Sequence, residues 1–276
     1  MSEPGIPVDR AYVGGTGPDD PIVAVREGWV ATIVLNRPEK RNAISLAMYQ
    51  RLGEVVEGLS ADDTVRCVVV RGAGDKAFAA GADIGEFGAL RTGQANAESY
   101  DSAAARSSAA LAACRHPVVA LIQGVCVGGG LELAARCDIR VCGASARFGM
   151  PVRNLGLTVD HGELEILLRL ARPADVLELL LEGRLIGAEE ARHKGLVNRV
   201  VPDADVERAT YAVAKRIAEG APLSARWHRK FVYRLLEGRP LTEEERREPY
   251  LAYDTEDYRI GCEAFLHKVK PAFKGR

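Results

Sequence analysis

Three consecutive glycines, Gly128-Gly129-Gly130, stand between the apolar run VVALIQ (118–123) and a helical segment that leads into CDIRV. Ordering a glycine costs more backbone entropy than ordering any other residue, so a run of three is kept only where something needs bare backbone. Just ahead of a helix over 130–137, these residues offer amide N–H groups with no intrahelical acceptor, at the positive end of the helix dipole. A carbonyl oxygen can approach such groups and be held as it becomes negative, which makes the segment a candidate oxyanion hole. A tight strand-to-helix turn and a phosphate loop are the competing uses. A phosphate loop calls for GxxxxGK[ST] or GxGxxG, and the chain has neither.

At 276 residues the chain is near the upper size for one hydrophobic core, so we expect one main domain with a helical appendage. Turn formers fill residues 1–21, which predicts a loose N-terminal arm. IVAVR (22–26) and WVATIVL (29–35) read as strands with a hairpin turn at Glu27-Gly28. Ser45 is placed to cap a helix reaching about Leu59, with Leu46, Met48, Leu52, Val55 and Val56 apolar. RCVVVRG (66–72) reads as a buried strand. A Gly/Ala-rich loop (72–88), an alanine-rich helix (97–114) and the strand VVALIQ follow. Beyond about residue 203, apolar stripes over 205–219, 223–237 and 255–268 predict helices to the end. Short strands alternating with helices define the fold class as α/β.

With 37 basic against 38 acidic residues the net charge is −1, so neither nucleic acid nor an anionic membrane is expected as a partner. Any anionic ligand needs a local basic cluster. The six cysteines form no CxxC pair and lie mostly in apolar runs, where a free thiol behaves as a small hydrophobe. Buried reduced thiols, no visible signal peptide and no apolar run of about 18 residues together imply a soluble, cytoplasmic protein. No metal site is expected.

Several motifs in order give the chain a resemblance to the crotonase (enoyl-CoA hydratase/isomerase) family. They are LNRPEKRNAIS (35–45), FAAGADIGEF (78–87), GVCVGGGLELAARCDIRV (124–141), FGMPVRNLG (148–156), GRLIGAEEARHKGLVNRVV (183–201) and AFLHKVKPAFKGR (264–276). The resemblance implies a crotonase-like ββα spiral core over about 22–203 and a C-terminal helical trimerisation region over 204–276. The assembly it implies is a homotrimer or hexamer. It also implies an acyl-CoA thioester as substrate, with coenzyme A as part of that substrate and no separate cofactor. Carried over position by position, the oxyanion-hole amides fall on Ala82 and Gly129. Arg37, Lys40, Arg41 and Ala43 lie where the family passes the phosphates and pantetheine, and Ala80, Asp83 and Ile84 where it holds the adenine. Lys268, with Lys270 and Lys274, lies in a basic tail that is either a phosphate contact or a solvated charge run.

Glu132, in the first helical turn after the glycines, matches one of two glutamates that hydratases of the family use. A carboxylate at a positive helix end is also simply favourable. The second glutamate is expected after Pro151, where this chain has Val152, which cannot transfer a proton. Asp160 is the natural substitute, since some isomerases and hydrolases of the family resemble it there. Asp160 with Glu163 equally reads as a helix capping box. His161 and Glu163 are further acid/base candidates. The leading expectation is hydration or isomerisation of an enoyl-CoA in fatty-acid or related carboxylic-acid breakdown. Decarboxylation, thioester hydrolysis and a catalytically weak CoA-binding protein are the alternatives.

Overall fold

A computed structural model describes residues 11–276 of the chain. Its strands are β1 (Ala11–Tyr12), β2 (Ile22–Glu27), β3 (Val30–Leu35), β4 (Cys67–Gly72), β5 (Ala77–Ala79), β6 (Val118–Ile122), β7 (Val125–Val127), β8 (Ile139–Gly143), β9 (Arg147–Gly149), β10 (Ile186–Gly187) and β11 (Arg199–Val201). The helices are α1 (Leu46–Ala61), α2 (Phe87–Leu90), α3 (Gln94–Ala113), α4 (Gly129–Ala135), α5 (His161–Leu170), α6 (Pro173–Glu182), α7 (Ala188–His193), α8 (Val206–Ala218), α9 (Pro222–Leu236), α10 (Glu243–Arg247) and α11 (Glu256–His267).

The strands sort into two sheets. A seven-stranded sheet has the order β1-β2-β3-β4-β6-β8-β11, and a four-stranded one the order β10-β9-β7-β5. Successive strand pairs β4/β5, β6/β7 and β8/β9 each send one strand to either sheet. Pairing from β3 through β4, β6 and β8 is parallel, so each step needs a crossover, and α1, α3 and α4 supply it. This repeated ββα winding is the spiral. It carries the ends of β5 and β7, and the loops after them, to one place.

Both faces of the large sheet are covered, which is why its central strands read as unbroken apolar runs. Along β4, Val68 and Val70 enter the core shared with α1, while Cys67 and Val69 face the cluster built by Val206, Val213, Ala214 and Ala218 of α8. Helix α8 is therefore a layer of the main domain, packed on the back of the sheet. Helix α1 begins as the sequence indicates, with the Ser45 side chain accepting from the Met48 amide. The β2–β3 turn falls one residue later than the expected Glu27-Gly28. Glu27 pairs with Val30, leaving Gly28 and Trp29 at the tip. Gly28 takes φ +57°, and the Trp29 ring lies under the Arg66 guanidinium at 3.8 Å. The start of the N-terminal arm lies outside the described residues. From Ala11 onward the arm is laid against β2, and the Thr16 hydroxyl bonds both backbone groups of Ala24.

His116 is fully buried where α3 meets β6, donating from Nε2 to the Leu59 carbonyl at 3.1 Å. Burial first, and then the Arg226 and Arg115 guanidinium groups, push its imidazole down to about 4 from an ordinary 6.5. Between those limits the unfolded chain takes up a proton that the fold refuses, so stability falls as pH drops through that window. The interval corresponds to up to about 3 kcal/mol. His116→Gln retains a donor but does not titrate. We expect the variant to lose less stability than the parent between about pH 7 and about pH 4.5, read from urea midpoints. Equal losses would mean that His116 does not titrate as described.

Candidate active site

Each residue of the glycine run meets a different obstacle. Gly128 takes φ +51°, a region that side chains strain to adopt. A Cβ on Gly130 would lie 2.5 Å from the Ala79 carbonyl oxygen. A Cβ on Gly129 would lie 2.4 Å from the Tyr49 hydroxyl and 3.6 Å from the Ala82 amide nitrogen. The loop after β5 and the start of α4 thus touch backbone to backbone.

Ala82 bridges Ile44 in a parallel register, with Ile44 N–H donating to Gly81 and Asp83 N–H to Ile44. That pattern turns Ala82's own N–H away from Ile44. Among the described residues neither the Ala82 nor the Gly129 amide has a hydrogen-bond acceptor. Both stand at the wall of a cavity of about 120 Å³. Two orphan donors this close, one at a helix N-terminus, can receive one carbonyl oxygen.

The residues expected at the coenzyme come together beside them. The buried Asn42 side chain accepts from Arg37 N–H and donates to the Ala73 and Ala77 carbonyls, tying the 37–44 segment to the loop before β5. Asp83 accepts from Arg37 at 3.0 Å and Lys40 at 3.1 Å. Burial pushes the Asp83 carboxyl up, but those two cations and the Gly85 amide together hold it below its ordinary value. Arg37 also donates to the Ala43 carbonyl, and Ala80 N–H donates to the Arg41 carbonyl. Arg41 is exposed in a left-handed turn, and Ile84 is 57% exposed at the cavity rim. Lys268 ends α11 in a left-handed turn and lines neither cavity at Glu132, while Lys270 and Lys274 pair with Glu219 and Glu256.

Glu132 of α4 and Glu163 of α5 both line the cavity, their carboxyl groups within hydrogen-bond reach of each other. Burial, then the Glu163 charge and that hydrogen bond, raise the Glu132 carboxyl well above the ordinary range. Burial also raises Glu163, but the bond from Glu132 and the Asp160 amide pull it back. Both carboxyls are therefore raised, so that a proton stays on the pair. Asp160 is exposed and caps α5, accepting from Glu163 N–H at 2.9 Å while Glu163 reaches back to Asp160 N–H at 3.3 Å. It borders a smaller cavity of about 60 Å³ against Glu132 and Arg136. His161 is exposed. Val152, with Leu155, Leu157 and Val159, forms an apolar wall. Tyr49, Arg91 and Tyr100 also line the cavity and were not singled out by the sequence, where they sit in ordinary helical or loop positions. Among the described residues no three His, Cys, Asp or Glu side chains are grouped to hold a metal ion, and no helix is long and apolar enough to cross a membrane.

Paired orphan amides beside a half-buried pair of neighbouring carboxyls define a class of site, one that can polarise a carbonyl and move protons on the neighbouring carbons. The chain belongs to the enoyl-CoA hydratase/isomerase family, whose sequence model matches residues 26–276. Membership places it among the acyl-CoA-processing lyases and isomerases. It is similar to an enoyl-CoA hydratase/carnithine racemase of Magnetospirillum magneticum, with 47% identity, a TM-score of 0.92, and 93% of this chain and 96% of that one covered. A probable enoyl-CoA hydratase of Mycobacterium tuberculosis is 34% identical over 92% of this chain and 98% of its own. Carnitinyl-CoA dehydratase of Escherichia coli is 34% identical over 91% and 97%. The expected α/β crotonase-type fold is the one observed.

The position of a Cβ on Gly129 predicts two separable effects. Gly129→Ala should displace the Tyr49 ring, destabilising the fold by about 1–3 kcal/mol. It should also occupy the carbonyl oxygen's place, with turnover of an enoyl-CoA falling by about 10²-fold. Adding Tyr49→Phe should return most of the stability but none of the turnover. Recovery of both in the double variant would show that Gly129 does not border the hole.

Proposed function

We propose that the chain is an enoyl-CoA hydratase or isomerase in which Glu132 and Glu163 form the acid/base pair and the Ala82 and Gly129 amides hold the thioester oxygen. The observation that carries this reading is the arrangement of the two orphan amides and the two carboxyls around one cavity. Glu163, on the helix beyond Val152, provides the second carboxyl that position 152 lacks.

In hydration, a water oxygen bonds to the β-carbon while Glu163 takes a proton from that water. The electron pair of the double bond moves toward the thioester oxygen, where both amides stabilise the developing enolate. The enolate then collapses, and Glu132 delivers its proton to the α-carbon. Glu163 has gained a proton and Glu132 has lost one, so transfer along their hydrogen bond resets the pair. In isomerisation the same pair would remove a proton from one carbon and return it to another. Arg37, Lys40, Arg41, Ala43, Ala80, Asp83 and Ile84 would hold the coenzyme A moiety, with Asp83 keeping the Arg37 and Lys40 side chains in place. The chemistry as written uses only the chain's own groups and the substrate.

Exposed apolar side chains on the C-terminal helices, including Leu235, Leu236, Phe265 and Leu266, support assembly into a homotrimer or a hexamer. Lys268 of a neighbouring copy would then be free to meet the phosphates. The five buried free cysteines support a reducing, cytoplasmic setting. Light scattering should return about three or six times the 29.8 kDa chain mass. A monomer would overturn the assembly.

Loss of crotonyl-CoA absorbance tests the chemistry. Glu132→Gln and Glu163→Gln should each lower kcat by about 10²–10⁴. Asp160→Asn, which preserves the cap, should leave kcat within a few-fold. Because one proton must reside on the pair, kcat/KM should fall on both sides of an optimum, with both limbs displaced upward from ordinary carboxyl values. Inactivity of Asp160→Asn alongside an active Glu163→Gln would reverse the two assignments. No binding or turnover of any acyl-CoA would overturn the proposal.

A further inference from the structure

Tyr100 is 2% exposed, and its hydroxyl is buried without a hydrogen-bond partner among the described residues. The same side chain lines the cavity that holds Glu132 and Glu163. Its ring is well accounted for. It packs edge-on against Tyr49 at 6.2 Å and Phe87 at 5.9 Å, under the Arg91 guanidinium at 5.3 Å. A phenylalanine would make each of those contacts. An unpaired buried hydroxyl is destabilising, so the oxygen calls for a partner that arrives from outside.

We infer that the acyl group accepted by this site carries a neutral oxygen, a hydroxyl or a carbonyl, beyond its β-carbon, received by the Tyr100 phenol. This rests on the acyl-CoA reading above and adds the class of acyl chain. The depth follows from the order of groups along the cavity. Tyr49 touches the Gly129 end, where the thioester carbonyl docks, and the α- and β-carbons face the carboxyl pair. The Tyr100 ring centroid lies 6.2 Å from that of Tyr49, and Tyr100 is not among the groups nearest Gly129. Charge sets the neutrality. Among the described residues lining the cavity Arg91 is the cation, and the Asp101 carboxylate already pairs with it at 2.6 Å. An anionic tail would meet Asp101, Glu132 and Glu163 with no free positive group. Burial, followed by the Glu86 charge, pushes the Tyr100 phenol up to about 12, so it stays protonated and can donate.

Calorimetry with saturated CoA thioesters, which carry no double bond to hydrate, separates the outcomes. The probes are two size-matched pairs, 4-hydroxybutyryl-CoA with pentanoyl-CoA and 5-hydroxypentanoyl-CoA with hexanoyl-CoA, together with glutaryl-CoA. The wild-type protein should bind at least one hydroxylated ligand about fivefold tighter than its alkyl match, the worth of one net hydrogen bond. Tyr100→Phe should erase that preference while binding the alkyl ligands as well as before, which also reports that it is folded. Glutaryl-CoA should bind weakest. Equal binding within both pairs, a preference that survives Tyr100→Phe, or glutaryl-CoA binding tightest would each overturn the inference while leaving the thioester reading intact. Failure of every thioester to bind would instead remove the reading on which it rests.

Discussion

Residues 79–82 and 128–130 meet with no room for a side chain at Gly130, and the site is built on that contact. Gly130 lies where any Cβ would strike the Ala79 carbonyl, so the start of α4 is pressed onto the end of β5. Behind β5 the Ile44–Ala82 bridge and the Asn42 side chain hold the opposite edge. Squeezed from both sides, the two amides are fixed in place before any ligand arrives. Donors that need not reorganise as charge develops are the more effective ones. The same packing explains why helix α4 can start bare, since its first N–H groups are left for a guest instead of a capping side chain.

Enclosing two carboxyls together is expensive if both are charged, and among the described residues the cation that lines their larger cavity, Arg91, is already paired with Asp101. Arg91 lowers the proton affinity of Glu132, but less than burial and Glu163 raise it. The charge at Asp160 adds to the rise at both glutamates, although its side chain is occupied by the cap. Sharing a single proton removes one of the two negative charges and gives the remaining carboxylate a hydrogen-bond donor. A site of this kind is ready for chemistry in which a proton is lent and returned.

Much of this was legible in the sequence, and what escaped did so for physical reasons. Runs such as RCVVVRG and VVALIQ declare themselves strands because both faces of their sheet are covered. Ser45 and the Asp160/Glu163 pair declare helix starts through local hydrogen bonding, and both caps are observed. The glycine run announced a need for bare backbone without saying what would press on it. Periodicity gave α8 an apolar stripe, but a stripe does not reveal which surface it covers, here the back of the large sheet. Tyr49, Arg91 and Tyr100 were invisible as site residues, because their meeting depends on how α1, α2 and α3 cross and on no local spacing. In the sequence Glu163 stands beside His161 as one more acid/base candidate, since a capping glutamate on a helix and an acid facing a cavity have the same sequence signature.

That shared signature points to how two identical side chains become unlike. A carboxylate has two oxygens, and Glu163 uses one to accept the Asp160 amide, a donor at the positive start of α5. Glu132 has no comparable donor and is the more deeply enclosed of the two, so its charged form is the costlier one. The cap therefore does more than end a helix. By favouring charge on Glu163 it would leave the proton with Glu132, and the proposed acid and base would be drawn from a symmetric pair. It also fixes the Glu163 rotamer, which a free side chain facing a cavity would lack. On the proposed reading, capping and catalysis, which compete as explanations when only the residues are read, would be two consequences of the same hydrogen bond.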